Sequence, residues 1–314
     1  MKLRAFALVS LLMMAMMASV SQAQDPCLGL SESDCALINE ASTNTLASAQ
    51  SFFQDWSIDF SVTGVPDSGD IMFKTTGSGP VVLDLANTTF PLSFDQTLSV
   101  AFNDGVSGEQ TGAVQARVVN AVMYVEFGQG WQGIDLAAAL SDPSIAGQLP
   151  VNPADLASGN IPGLDTEALG AALPALLQLS QVPGFLSYSR SGADFTFVAD
   201  LATLAQSPDF STALTSLSTA LGEQGQQVAG LGMVLPMLLS EGKITVVQTV
   251  DEAAKIVTGL KFIVNASINA GMISGDSAAA PVVVALTFDV KLSRVNEAFD
   301  IVAPEGATML PLGG

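Results

Sequence analysis

The chain has 314 residues, a formal net charge of −20 and no histidine; 49% of it is hydrophobic and 13% charged. Without histidine there is no Ser-His-Asp triad, no Cys-His nucleophile and no imidazole zinc ligand, and two cysteines cannot form a four-thiolate metal centre. Ten basic residues against thirty acidic ones leave no material for the basic patch that a nucleic-acid partner needs, and the aliphatic content is too high for a disordered acidic chain.

Residues 1–23 read as a secretory signal peptide. Lys2 and Arg4 start it, residues 5–20 are apolar, and Ser21-Gln22-Ala23 puts small residues at −3 and −1 of a cleavage site. No later segment has 18 uninterrupted apolar residues, so no transmembrane span is expected in the mature chain. The expected location is exported: periplasmic or extracellular, associated with the cell envelope. Residues 24–44 form an N-terminal segment with a cysteine pair, Cys27 and Cys35. Gln24-Asp25-Pro26 before Cys27 does not fit a lipidation box, and a C-x-x-C spacing is absent. An oxidising compartment favours a disulfide between Cys27 and Cys35.

From Trp56 onward the side chains alternate. Trp56, Ile58, Phe60 and Val62 interleave with Ser57, Asp59, Ser61 and Thr63. Over 92–102, Leu92, Phe94, Leu98, Val100 and Phe102 share one face, with Gln96 its one polar member. Val282, Val284, Leu286, Phe288, Val290 and Leu292 repeat the pattern, and 243–250 and 256–268 behave similarly. One-sided strands of this kind predict an antiparallel sheet with one face on a core. Turns are expected at Pro66-Asp67-Ser68-Gly69, Gly77-Ser78-Gly79-Pro80 and Asn103-Asp104-Gly105. Several strands exceed ten residues, and long one-sided strands predict a barrel or half-barrel.

Two stretches break the alternation. Residues 134–181 are rich in Ala, Leu and Pro, with Asp165 a possible cap for a helix kinked near Pro174. Residues 207–222 carry the clearest helix signal: Ser207 as N-cap, Pro208 at the first position, Gly222 at the end. A run of Met233, Leu235, Met237 and Leu238 follows. The organisation expected is a single domain over 45–314, with a helical insertion at about 134–240.

A strand over 113–120, the run Ala121-Val122-Met123-Tyr124-Val125-Glu126-Phe127, a turn at Gly128-Gln129-Gly130-Trp131, and a helix opened by Ile134-Asp135-Leu136 follow one another. With the last run 286–293, Asn296 and Ile301-Val302-Ala303-Pro304, this order resembles the LolA-like group, including the LppX/LprG lipoproteins. The resemblance spans most of 45–304. It implies an α+β fold: a strongly curved antiparallel half-barrel sheet with helices packed on its concave face, and an apolar cavity for acyl chains between them. The lipidation cysteine of LppX-type proteins is missing.

The function expected is an exported, non-enzymatic protein that binds lipids or other lipophilic small molecules between the sheet and apolar helices. Leu173, Leu176, Leu177, Met233, Leu235, Met237, Leu238 and Trp131 are the expected ligand-binding residues; methionine suits irregular apolar ligands. An envelope protein could be a further partner. No cofactor, metal or nucleic acid is expected. The alternative is a structural or adhesive envelope protein with a filled core. Carboxylate pairs such as Asp55 and Asp59, or Glu223 and Glu241, stand in no cleft motif, and no calcium loop is present.

Overall fold

The structure, a computed structural model, describes residues 29–65, 69–84, 91–141, 182–210, 212, 239–269, 271 and 280–310. Its helical elements are α1 (Glu32–Ser48), α2 (Leu136–Ser141) and α3 (Leu201–Ala205). The strands are β1 (Ser51–Thr63), β2 (Ile71–Leu83), β3 (Leu92–Asn103), β4 (Glu109–Val119), β5 (Val122–Glu126), β6 (Trp131–Asp135), β7 (Leu186–Ser191), β8 (Asp194–Asp200), β9 (Leu239–Asp251), β10 (Ile256–Ile268), β11 (Val282–Ser293) and β12 (Thr308–Met309). They form one 12-stranded sheet in the order β12-β6-β5-β4-β3-β2-β1-β11-β10-β9-β8-β7. The sheet is curved and open, not a closed barrel, and among the described strands only the β12–β6 contact is parallel. The antiparallel sheet expected from the alternation and the curved α+β fold implied by the resemblance are therefore present.

The registers sort the side chains onto two faces, because directly opposed residues share a side. Phe60 opposes Phe73 on one flank and Leu286 on the other. Phe73 continues to Phe102, and Leu286 to Val264 and then Ile244. Ile58 sits between Thr75 and Phe288, which leads on to Phe262, Val246, Phe197 and Tyr188. This face is apolar almost from end to end. The other carries Asp55, Ser57 and Asp59 on β1, opposite Lys291, Asp289 and Thr287 on β11.

The helices pack on the apolar face. In α1, Cys35, Ile38 and Ala41 are buried; Ile38 and Ala41 meet Phe195 and Val250, with Tyr188 and Val257 beside them. Burial of the Tyr188 phenol pushes its pKa up. A second cluster joins Val182, Phe185, Ala199, Leu204, Ala205 and Phe210. Phe210 belongs to the helical turn after Ser207, whose hydroxyl accepts from the Asp209 amide, so the start of the helix expected at 207 is present.

Polar bonds hold α1 in place. Ser31 caps its N-terminus by accepting from the Asp34 amide. At the far end Lys255 Nζ donates to both Glu40 oxygens at 2.8 and 2.9 Å, and the Val257 amide donates to Thr45 Oγ1 at 2.7 Å. Arg190 of β7 donates to Asp34 and to Glu252, and its guanidinium lies 5.0 Å above the Phe195 ring. The hydrogen bond from Arg190, then that of Ser31, holds the Asp34 carboxyl below its ordinary pKa. A depressed carboxyl contributes stability above its unfolded pKa of about 3.8 and loses it as pH falls through the folded value. The thermal midpoint of R190M should thus lie below that of the wild type by a constant gap above about pH 5, a gap that narrows below pH 4. Circular-dichroism melts of both proteins from pH 3 to 7 check this; a gap independent of pH would exclude the ion pair as its source.

The residues after β11 form a strap along the polar face. The Asn296 amide donates to Ser51 O and Ser51 Oγ to Glu297 O. Arg117 then donates to Val302 O at 2.8 Å and to Asp95 at 2.6 Å, before β12 joins β6.

Four local expectations are corrected. Gly77-Ser78-Gly79-Pro80 is not a turn but lies inside β2. The β2–β3 ladder is interrupted between Ser78 and Val81, which is where proline has no N–H to give. Gly128–Gly130 does turn the chain, but Trp131 to Asp135 is a strand, and the helix opens at Leu136. The β7–β8 hairpin falls within 134–240. Within the segment 24–44, expected only to carry a cysteine pair, a helix starts at Glu32 and runs on to Ser48. The turn at 103–105 is present: Asp104 accepts from the Val106 and Ser107 amides and the Ser107 hydroxyl, and these bonds lower its pKa.

Candidate functional site

The helix-bearing apolar face is the candidate site. Among the described helices, α1 lies on β9 and β10 and α3 on β9, toward one end of the sheet, while α2 follows β6 beside β5 and β6 at the other. Between them the central strands β11, β1 and β2 present Phe288, Leu286, Ile58, Phe60 and Phe73, all only partly buried. An apolar surface this extended is more than the scatter of single hydrophobic residues on any protein.

One polar constellation interrupts it. The indole of Trp56 on β1 lies across Gly77 of β2, whose missing side chain makes the room: a Cβ there would stand 2.3 Å from the ring. The indole reaches Gln96 of β3, donating from Nε1 to Oε1 at 3.3 Å. Gln96 is only 5% exposed, and its Nε2 is buried with no hydrogen-bond partner. Indole nitrogen can only donate, so the atom facing it must be the amide oxygen. That assigns the unpartnered atom as the NH2 group.

The polar face offers a different chemistry. A groove of about 460 Å³ is lined there by Asp55, Ser57, Ser78, Thr97, Asp289 and Lys291. Ser78 Oγ donates to Asp55 at 2.6 Å, and Asp59 faces Lys74 at 4.0 Å. Asp55 and Asp59 are four residues apart on one strand, about 13 Å at 3.3 Å per residue. Paired carboxylates in glycoside hydrolysis stand about 5–9.5 Å apart, so these two do not form such a pair. Glu223 lies outside the described residues.

Of the expected site residues, Leu173, Leu176, Leu177, Met233, Leu235, Met237 and Leu238 lie outside the described residues, as does Cys27. Trp131 lies on the polar face, in register with Glu126, and the Arg117 guanidinium stacks 5.2 Å from its ring centre. The structure does not bring it to Trp56 and Gln96. Gln96 and Trp56 are not among the site residues expected from the sequence. The signal that points to them is the single polar side chain on the apolar face of 92–102.

The fold is similar to two solved structures. One is LprF from Mycobacterium bovis, 11% identical, covering 88% of this chain and 99% of that one, with a TM-score of 0.35. The other is the lipoprotein LppX of Mycobacterium tuberculosis, 15% identical, covering 86% and 100%, with a TM-score of 0.30. No family model and no curated protein matches the chain. What the site does is therefore argued from its own geometry. Among the described residues no helix is long and apolar enough to cross a membrane, and no group of three or more Cys, Asp or Glu residues is placed to hold a metal ion.

Proposed function

We propose that this protein is an exported, non-enzymatic binder of lipids or other lipophilic molecules, with acyl chains lying against the helix-bearing face of the sheet. The observation that supports it is the apolar face that continues across the central strands, where Ile58, Phe60, Phe73, Leu286 and Phe288 are only partly buried. Covering such surface is worth roughly 25 cal/mol per Å², and a ligand of matching shape gains it without any polar group. In this reading Leu173, Leu176, Leu177, Met233, Leu235, Met237 and Leu238 line the ligand from the opposite side. The domain over 45–314 follows a cleaved signal peptide at 1–23, and export to the cell envelope oxidises Cys27 and Cys35 to a disulfide. The lack of a free cysteine among the described residues supports that pairing.

Native mass spectrometry of protein purified without detergent, followed by solvent extraction, tests the function. Co-purified acyl lipid near one equivalent is the expected result. A clean apo mass that stays unchanged after incubation with mixed lipids would sink the reading and leave the structural, filled-core alternative.

A further inference from the structure

Resting on that lipophile-binding reading, we propose that Gln96 is its polar anchor: the Nε2 group donates a hydrogen bond to the carbonyl oxygen of a bound acyl lipid. The ligand class then narrows from any hydrocarbon to molecules that carry an ester, carboxyl or amide carbonyl beside an alkyl chain.

Three observations carry this. Gln96 Nε2 is shielded from solvent and has no partner, although buried amide donors are nearly always paired. Its orientation is imposed, because Trp56 Nε1 takes the oxygen end of the amide and cannot take the other. Its surroundings are apolar: Ala116 stands directly opposite on β4, and Phe94 and Leu98 flank it on β3. The donor has already lost its water, so a carbonyl that reaches it as a neighbouring side chain gives way forms a bond without stripping water from that donor. Hydrogen bonds in such a medium are stronger than at a wet surface. A hydrocarbon placed there would leave the donor orphaned, as it is now. Discrimination between the two is therefore built into the unliganded protein.

Hexadecane and methyl palmitate separate the possibilities, each displacing the apolar fluorophore N-phenyl-1-naphthylamine from the full-length protein. The wild type should bind the ester about tenfold more tightly than the alkane, as one buried hydrogen bond predicts. In Q96L the ratio should collapse to about one. Q96L strips Trp56 of its acceptor, so W56F/Q96L, which removes both ends of that bond, guards against a folding defect and should show the same collapse. A tenfold preference that survives in both variants, or an equal affinity of the wild type for the two ligands, overturns the anchor while leaving lipophile binding intact. Failure of the fluorophore and both ligands to bind the wild type overturns both.

Discussion

Replacing Phe195 by alanine should destabilise the protein by about 3–5 kcal/mol, as loss of a fully enclosed aromatic side chain usually does. Phe195 is 0% exposed and is the meeting point of three elements. On one side it supports Ile38 and Ala41 of α1; beside it are Val250 of β9 and the guanidinium of Arg190. Ala41, also 0% exposed, is too small to reach into the space left behind, so the cavity cannot collapse without α1 moving. Urea denaturation followed by circular dichroism reads the effect. F127A serves as the comparison, because Phe127 is 66% exposed and its loss should cost less than about 0.5 kcal/mol. Equal costs for the two would show that α1 is not seated on Phe195.

The variant G79A should be comparably damaging, by about 3 kcal/mol or more, through the backbone instead of the core. A Cβ at this position would stand 1.8 Å from the carbonyl oxygen of Asp95 on the neighbouring strand. No side-chain rotation relieves a contact between a Cβ and a main-chain oxygen, so β2 and β3 must part locally. Asp95 is the partner of Arg117, which in turn grips the strap at Val302. Displacement of Asp95 should therefore loosen residues far along the chain. Amide hydrogen exchange should show faster exchange at 94–97 and again at 302–310. Exchange confined to β2 would mean that the Arg117 bridge does not transmit the strain.

How far the sequence discloses this molecule depends on how local each signal is. Strands β3, β10 and β11 are legible because one face of each is apolar along most of its length while the other is more polar, despite departures such as Val257, Ile263, Val283 and Ala285, and β10 has the bounds expected for it, Ile256 and Ile268. The Gly77–Pro80 stretch misleads because its composition is that of a turn; what keeps it extended is non-local, the Trp56 indole and the Asp95 carbonyl pressing where no side chain can stand. Helix α1 escapes notice because Cys35, Ile38 and Ala41 are too few and too small to make an apolar stripe by themselves. Only the sheet gives them something to meet. Gln96 is halfway between. Its oddity on an apolar face is visible in the bare sequence, but the pairing of its oxygen with Trp56, forty positions earlier, requires the register of three strands.

The position of β1 governs how the molecule can be assembled. Its hairpin with β2 continues outward to β6 through short connections, and β11 continues to β7 through pairings that are also sequential. The chain thus consists of two meandering ribbons, each zipping between neighbours. Their main seam is β1 against β11, from Phe53 opposite Ser293 to Thr63 opposite Val283, and the strap after β11 adds only the short β12–β6 pairing. Ser51 and Glu297, bonded beside it, are 246 positions apart. Contacts of such separation form slowly, because a long loop must close before they repay it. The row from Phe102 through Phe60 to Ile244 crosses the seam, so neither ribbon holds the whole apolar face alone. The protein should acquire its binding surface in the same late step that completes its fold.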